Sequence, residues 1–444
     1  MIDISPELLT VLMLVGVLAG VLVGYPLAIP VGAMGLLFGF LVYGDAVPDL
    51  LYGRVFNLVH SYTLLAIPLF VFMGVMLEKS GITEKLYDAL YLWLSGFNGG
   101  LALVTVLLGT ILAACVGVVG ASVSMLAIFA LPAMLKRGYN KALACGSVCA
   151  GGTLGILIPP SIMLVVYGPM AGVSVGKLFM GAFLPGFLLS ALYCAYIAIA
   201  CAVRKDFGPP VPAEERQVPF KTKSMALLKA LLPTALLIFA VLGSIFLGIA
   251  PPTEAAAVGA LASMGLAAGY KHFNFKVLKD TVAQSAHVTA MIYLIGAMSF
   301  AYVGVFIGAG CGEVIENVIM GAPGGRWGAF AMIMFIVFML GFFIDWIGIV
   351  FIMVPIVAPL APALGFDPLW FGMMIVVNLQ MSFMTPPFAS AIFYLRGSAD
   401  PSLGVTMADI IRGVWPFVVC IIIGLALCIA FPEIILWLPG KMIA

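Results

Sequence analysis

"GGTLGILIPPS", Gly151 to Ser161, interrupts an apolar run of membrane type with three glycines and then two adjacent prolines. Freed backbone groups in hydrocarbon each cost several kcal/mol, so a helix broken here has a cost that something must offset. Proline lacks an N–H donor and disfavours helix before it, and glycine permits an unwound turn. A proline kink serving only packing is the plain alternative to a functional break, and one break alone does not decide between them.

Composition fixes the setting. Of 444 residues, 64% are apolar and 9% charged, with a mean hydropathy of +1.22. Soluble chains are about half apolar and about a quarter charged, so this is an integral membrane protein. At about 20 residues per span it has room for roughly ten to twelve crossings in the lipid bilayer and none for a soluble domain. A net charge of +1 without basic clusters interleaved with aromatics gives no reason to invoke nucleic acid. The first residues carry Asp3 and Glu7 and no basic residue, which predicts a retained first span rather than a signal peptide. The eight cysteines lack Cys-x-x-Cys or Cys/His metal spacing and read as small packing residues. Gly16, Gly20 and Gly24 read as a close-packing helix face.

Apolar spans fall at about 8–24, 27–43 and 62–78, followed by an amphipathic stretch, a small-residue segment at about 100–135, and spans at about 142–170 and 178–203. The longest polar segment, Arg204 to Ser224, carries Arg204, Lys205, Arg216, Lys221 and Lys223 and is expected on the cytoplasmic side. Spans then fall near 229–249, 254–270 and 281–307, a polar segment with Glu313 and Glu316 leads to an apolar region at about 327–362, and spans near 368–395 and 413–431 close the chain.

The two halves read alike in order. "LPAMLKRGYNKALACG" (131–146) is echoed by "APLAPALGFDPLWFG" (358–372). Pro159-Pro160 is echoed by Pro386-Pro387, each pair followed seven residues later by a tyrosine, Tyr167 or Tyr394, and then by Gly-x-aromatic at Gly181 and Gly413. If Lys79 and Lys136-Arg137 are all cytoplasmic, residues 100–135 enter and leave on one side and form a re-entrant hairpin. Five full crossings per half remain, an odd number that inverts the second repeat. The expected fold is therefore an all-α polytopic membrane protein of two inverted repeats: 1–203, with a hairpin at about 100–135 and a broken helix at about 142–170, a cytoplasmic linker 204–228, and 229–444, with a hairpin at about 327–362 and a broken helix at about 368–395. Inverted repeats with a broken helix in each half mark secondary transporters. Two breaks at repeat-related positions favour function over packing.

The candidate site residues follow. Carbonyls freed at Gly151, Gly152, Thr153, Pro159, Pro160 and Ser161 can ligate a small hard cation, while half-helix N-termini face an anion. In the first hairpin, "GVVGASVS" (Gly117 to Ser124) puts flexible backbone and two hydroxyls in mid-segment, or else a packing face of the Gly-x-x-x-Gly kind. In the second, "GFFIDWIGI" places Asp345 in an uncharged run, for a cation or for an interhelical hydrogen bond. "NLQMSFMTPP" offers Asn378, Gln380, Ser382, Thr385, Pro386 and Pro387.

These strings, with "GIAPPTEAAAVGAL" (248–261), resemble the large membrane subunit, DctM type, of tripartite ATP-independent periplasmic (TRAP) transporters over essentially the whole chain. The resemblance implies an elevator-type transporter of the ion-transporter superfamily in the inner (cytoplasmic) membrane of a bacterium or archaeon. It implies a small four-helix membrane subunit (Q type), a soluble periplasmic substrate-binding protein (P type), an organic anion as substrate, and sodium as coupling ion with no other cofactor. The first sodium clamp would be Gly120, Ala121 and Ser122 with Gly151, Gly152 and Thr153, and the second the region of Asp345 with Thr385 and Pro386. The chain departs from the family in having Val119-Gly120-Ala121-Ser122 where many members have Ser-Gly-Ser-Ser, and Ala389 where they have glycine.

Other classes fit less well. "GVSVGKL" (172–178) is one residue short of a phosphate-binding loop and ends in Leu, so no pump is read here. The chain is not read as an enzyme: of three histidines only His287 adjoins an apolar span, and without a partner. A passive channel would conduct without a sodium gradient, and a stand-alone sodium-coupled carboxylate symporter would share the repeats but lack obligate partners.

Overall fold

A computed structural model describes residues 4–117, 119–212, 214 and 218–442. Asp3, Val118 and Arg216 lie outside them. The described residues are helices and connections without strands.

The first half runs through Pro6–Val23, Ala28–Tyr43, Val47–Val59, Ala66–Lys79 and the amphipathic Ile82–Leu94. Then come a first hairpin, Gly100–Val116 and Val119–Lys136, a first broken helix, Lys141–Thr153 and Ile162–Ala171, and Val175–Val203. The second half runs through Phe220–Phe246, Pro252–Gly269, Phe275–Gly308 and Cys311–Met320, then a second hairpin beginning with Gly325–Leu340, a second broken helix, Pro368–Ser382 and Ser390–Ser398, and Met407–Ala430. The returning arm of the second hairpin is itself split into Trp346–Ile352, Val354–Val357 and Leu360–Ala363, around Pro355, Pro359 and Pro362.

Several bounds differ from those expected. A 3-10 turn, Gly44–Ala46, carries Ala28–Tyr43 into Val47–Val59, so that Ala28–Val59 forms one apolar unit of 32 residues. The helix Phe220–Phe246 starts inside the segment read as linker, because its first turns, though charged, contain no residue after Pro219 that breaks a helix. Eight described helices are long and apolar enough to cross a membrane, and one of them, Val119–Lys136, is a hairpin arm. The broken helices fall below that length because each is two pieces.

The turns that start both broken helices use the same chemistry. Asn140 Oδ1 accepts from the Leu143 amide at 3.1 Å, and Asp367 Oδ1 accepts from the Leu369 and Trp370 amides at 2.8 and 3.0 Å. Each side chain satisfies donors that a helix leaves open at its N-terminus.

Small residues let the helices approach. Gly35 abuts the backbone of Tyr302, and a methyl group on Gly259 would press on Met73 and Val241. These contacts join Pro6–Val23, Ala28–Val59, Ala66–Lys79, Phe220–Phe246, Pro252–Gly269 and Phe275–Gly308 into one group. Gly16 and Gly20 pack on Met34 and Pro30 as expected, but Gly24 has nothing within 4 Å and instead ends its helix at φ +102°. The hairpins, broken helices, Val175–Val203 and Met407–Ala430 form the second group. Its closest crossing is Gly146 against Gly413: a Cβ on Gly413 would fall 2.0 Å from the Ala142 carbonyl oxygen. Cys145, Cys149, Cys194, Cys201, Cys311, Cys420 and Cys428 are free.

Gly413→Leu is therefore expected to prevent assembly of a monodisperse protein. Gly265→Ala, with open space around it, should leave stability unchanged or raise it by up to about 1 kcal/mol. Thermal unfolding and size-exclusion profiles in detergent separate the two.

Candidate functional site

Both tips are seated on breaks. Gly117 turns the first hairpin at φ +65°, and its Cα faces the Pro160 carbonyl and Ile162, with 3.5 Å to each from an added Cβ. At the second tip, a Cβ on Gly341 would fall 2.2 Å from Ser382 Oγ. Gly152 meets Val123 so closely that a Cβ would fall 2.9 Å from the Val123 backbone, and Gly151 lies against Thr105 and Leu126. Each hairpin thus packs on the first arm of its own half's broken helix. Each also reaches the second arm of the other half's: Val119–Lys136 touches Ser390–Ser398, and Trp346–Ile352 touches Ile162–Ala171.

The crossing encloses a cavity of about 60 Å³ lined by Val119, Gly120, Ile162, Asp345, Trp346, Phe383, Ser390 and Tyr394, with a wall from Val288, Met291 and Ile292. Val119, Ile162, Trp346 and Ser390 are the first residues of four helices. Their positive dipole ends meet in one place. The same small volume is bordered by helix N-termini, which favour an anion, and by the Asp345 carboxylate, which suits a hard cation.

Of the residues expected at the site, Gly120 and Asp345 line this cavity together. Asp345 is the residue that precedes Trp346–Ile352 and is half-buried. Ala121 is partly buried beside the core, and Ser122 Oγ is fully buried without a hydrogen-bond partner. The first break is sealed: Gly151, Gly152, Thr153, Pro159, Pro160 and Ser161 are all buried, Thr153 Oγ1 donates to the Ala150 carbonyl at 3.0 Å, and Ser161 Oγ donates to the Ile156 carbonyl. In the second break, Thr385 Oγ1 donates to the Met381 carbonyl at 2.8 Å while Pro387 and Phe388 are exposed. Both Pro159-Pro160 and Pro386-Pro387 are cis.

Asn378 does not line the cavity. Its Nδ2 donates to the Met334 carbonyl at 2.8 Å, and Ser382 Oγ reaches the Phe338 carbonyl at 3.4 Å, so both tie the first arm to the second hairpin. Gln380 is buried with both amide atoms unpartnered. Tyr394, Ser390, Trp346 and Phe383 are cavity residues that the sequence reading passed over. Tyr394 had a signal, its matching place with Tyr167. Among the described residues no three His, Cys, Asp or Glu stand together as metal ligands, so a cation here would depend on hydroxyl and carbonyl oxygens and on Asp345.

Ala389 adopts φ +35°, ψ 64°. A left-handed residue with a Cβ costs about 1–2 kcal/mol, which accounts for glycine at this place in the resembling family.

The fold is that of a multi-pass membrane transporter. It is similar to the crystal structure of the Alcanivorax borkumensis YdaH transporter, with a TM-score of 0.63 over 96% of this chain and 98% of that one at 12% identity. The chain belongs to the family described as tripartite ATP-independent periplasmic transporter, DctM component, which matches residues 14–434. It is 32% identical over 410 residues to the C4-dicarboxylate TRAP transporter large permease protein DctM of Pseudomonas aeruginosa, covering 92% of this chain and 93% of that one. It is 31% identical to the isethionate TRAP transporter permease protein DctMQ of Oleidesulfovibrio alaskensis over 85% of this chain and 59% of that one. It is 28% identical to the sialic acid TRAP transporter permease protein SiaT of Haemophilus influenzae, over 86% and 61%.

Two substitutions check the site's construction in thermal unfolding. Ala389→Gly should stabilise the chain by up to about 1 kcal/mol, since relief of the left-handed strain outweighs the entropy of glycine. Asn378→Ala should destabilise it by about 1–3 kcal/mol, because the buried Met334 carbonyl loses its donor.

Proposed function

We propose that this chain is the large permease of a sodium-driven uptake system for an organic anion, a carboxylate or sulfonate, in the inner membrane of a bacterium or archaeon. The observation that carries this reading is the meeting of four helix N-termini with Asp345 around one cavity. Helix N-termini favour negative charge and carbonyl ends favour cations. The relatives named for C4-dicarboxylate, isethionate and sialic acid all take organic anions.

Two sodium ions bind, one at the clamp of Gly120, Ala121 and Ser122 with Gly151, Gly152 and Thr153, the other near Asp345 with Thr385 and Pro386. The unpartnered hydroxyl of Ser122 suits the first, and the Asp345 carboxylate suits the second. Their charge offsets Asp345 and the carbonyl ends, leaving the helix N-termini to hold the anion. The two halves, with the cytoplasmic linker between them ending where Phe220–Phe246 begins, act as inverted repeats, and the group holding hairpins and breaks moves against the other helices in an elevator displacement.

At 60 Å³ the cavity is far below the roughly 300 Å³ of a typical small-molecule site, so it opens before an organic acid enters. Tyr394, in its wall, is itself exposed. A small four-helix membrane subunit completes the support and a soluble periplasmic protein delivers the substrate, as befits the DctM component of a tripartite system.

Proteoliposomes holding the chain and its small subunit are given labelled succinate, isethionate or sialic acid, with and without an inward sodium gradient and the binding protein. Uptake of one of them that needs both sodium and the binding protein is the expected result. Sodium-dependent uptake without the binding protein would replace this reading with the stand-alone symporter, and gradient-independent leakage would overturn it. Asp345→Asn should raise the sodium concentration for half-maximal uptake about tenfold, equivalent to about 1.4 kcal/mol. An unchanged sodium dependence would remove Asp345 from the second clamp.

A further inference from the structure

The two tyrosines placed seven residues after the double prolines have a role that the clamps alone do not use. Each lies on a glycine of the opposite half. The Tyr167 ring, fully buried, packs on Gly372, where an added Cβ would fall 2.7 Å from Cε1. The Tyr394 ring packs on Gly120 at the first hairpin tip, where an added Cβ would fall 3.0 Å from both Cε1 and Cζ. Their surroundings differ. Tyr167 is sealed in the core, whereas Tyr394 is 45% exposed and forms part of the cavity wall together with Gly120 and Asp345.

The helix that carries Tyr394 is held by the first half along its length. Ser398 Oγ donates to Ser124 Oγ at 2.8 Å, and Cys149 Sγ approaches the Ala391 carbonyl at 3.7 Å. At its start it is held by the second break, through the Ala391 amide and the Phe383 carbonyl at 3.1 Å. A shift of the second break therefore moves the ring that rests on the first tip. No side chain stands between the ring and the Gly120 backbone to absorb the motion.

We propose that Tyr394 is a positioning residue that couples the two cation clamps, so that ordering one half's clamp orders the other's through the contact of its ring with Gly120. This rests on the sodium reading above. The ring carries the coupling, and the hydroxyl is dispensable to it. Coupling of this kind between two sites appears as cooperative binding, with a Hill coefficient rising toward the number of sites.

The test is equilibrium binding of radiolabelled sodium to the purified full chain, alone and with its small subunit. Wild type should bind with a Hill coefficient approaching about 2. Tyr394→Phe should keep that slope, and Tyr394→Ala should lower it to about 1 while still binding sodium. Gly120→Ala, which pushes a methyl group into the ring from the other side, should also flatten the curve. Size-exclusion profiles and thermal unfolding confirm that the variants are folded, and Gly120→Ala gives a reading even where Tyr394→Ala does not fold. A wild-type slope retained in folded Tyr394→Ala and Gly120→Ala would overturn the coupling and leave the clamps standing. Loss of the slope in Tyr394→Phe would move the role to the hydroxyl and overturn it as stated. Wild type that binds no sodium would overturn the clamps themselves, and this inference with them.

Discussion

A backbone carbonyl or amide left without a partner in hydrocarbon costs several kcal/mol, and that constraint orders the whole molecule. Irregular backbone at membrane depth is tolerated only where protein or a water-lined cavity surrounds it. Here the first break, from Gly151 to Ser161, is buried at every residue. It is covered on one side by the first hairpin, through Val123 on Gly152 and Gly117 on Pro160. The hairpins are as much a cover for the breaks as a feature in their own right. Two breaks need two hairpins, and the long outer helices hold these in place.

Crossing of the halves is the second consequence. A hairpin seated only on its own broken helix would leave that helix's second arm uncovered. Contact of Val119–Lys136 with Ser390–Ser398 and of Trp346–Ile352 with Ile162–Ala171 closes both gaps at once. It also brings four helix starts to one point. The charge character of the cavity therefore follows from the way the breaks are covered, with Asp345 as its single carboxylate.

Much of this was legible in the sequence because glycine and proline act locally. The double prolines, the Asn140 and Asp367 turns and the small-residue tip at Gly117 to Ser124 each announce a backbone event where they stand. Hydropathy located the spans, though it missed that Ala28–Val59 runs on as one unit, since the polar Asp45 and Asp49 there face a short 3-10 turn and a helix start rather than a loop. What the sequence could not give was partnership across the halves. Asn378 read as a site residue because it is polar at membrane depth, and it proves to hold the second hairpin through the Met334 carbonyl. Tyr394 read as an echo of Tyr167, and only the fold sets one ring in the cavity wall and the other in the core. Such roles depend on which segment lies opposite, and no local pattern encodes that.

The central claim is that both tips and both breaks form a single sodium-responsive site. Hydrogen exchange of the backbone amides in sodium against choline tests it most directly. The account predicts that sodium slows exchange together at Gly117 and Gly120–Ser122, at Ile162–Leu164, at Trp346–Ile349 and at Ser390–Ile392, and leaves the helices of the outer group unchanged. Unaltered exchange at these four segments, or slowing confined to the outer helices, would contradict it.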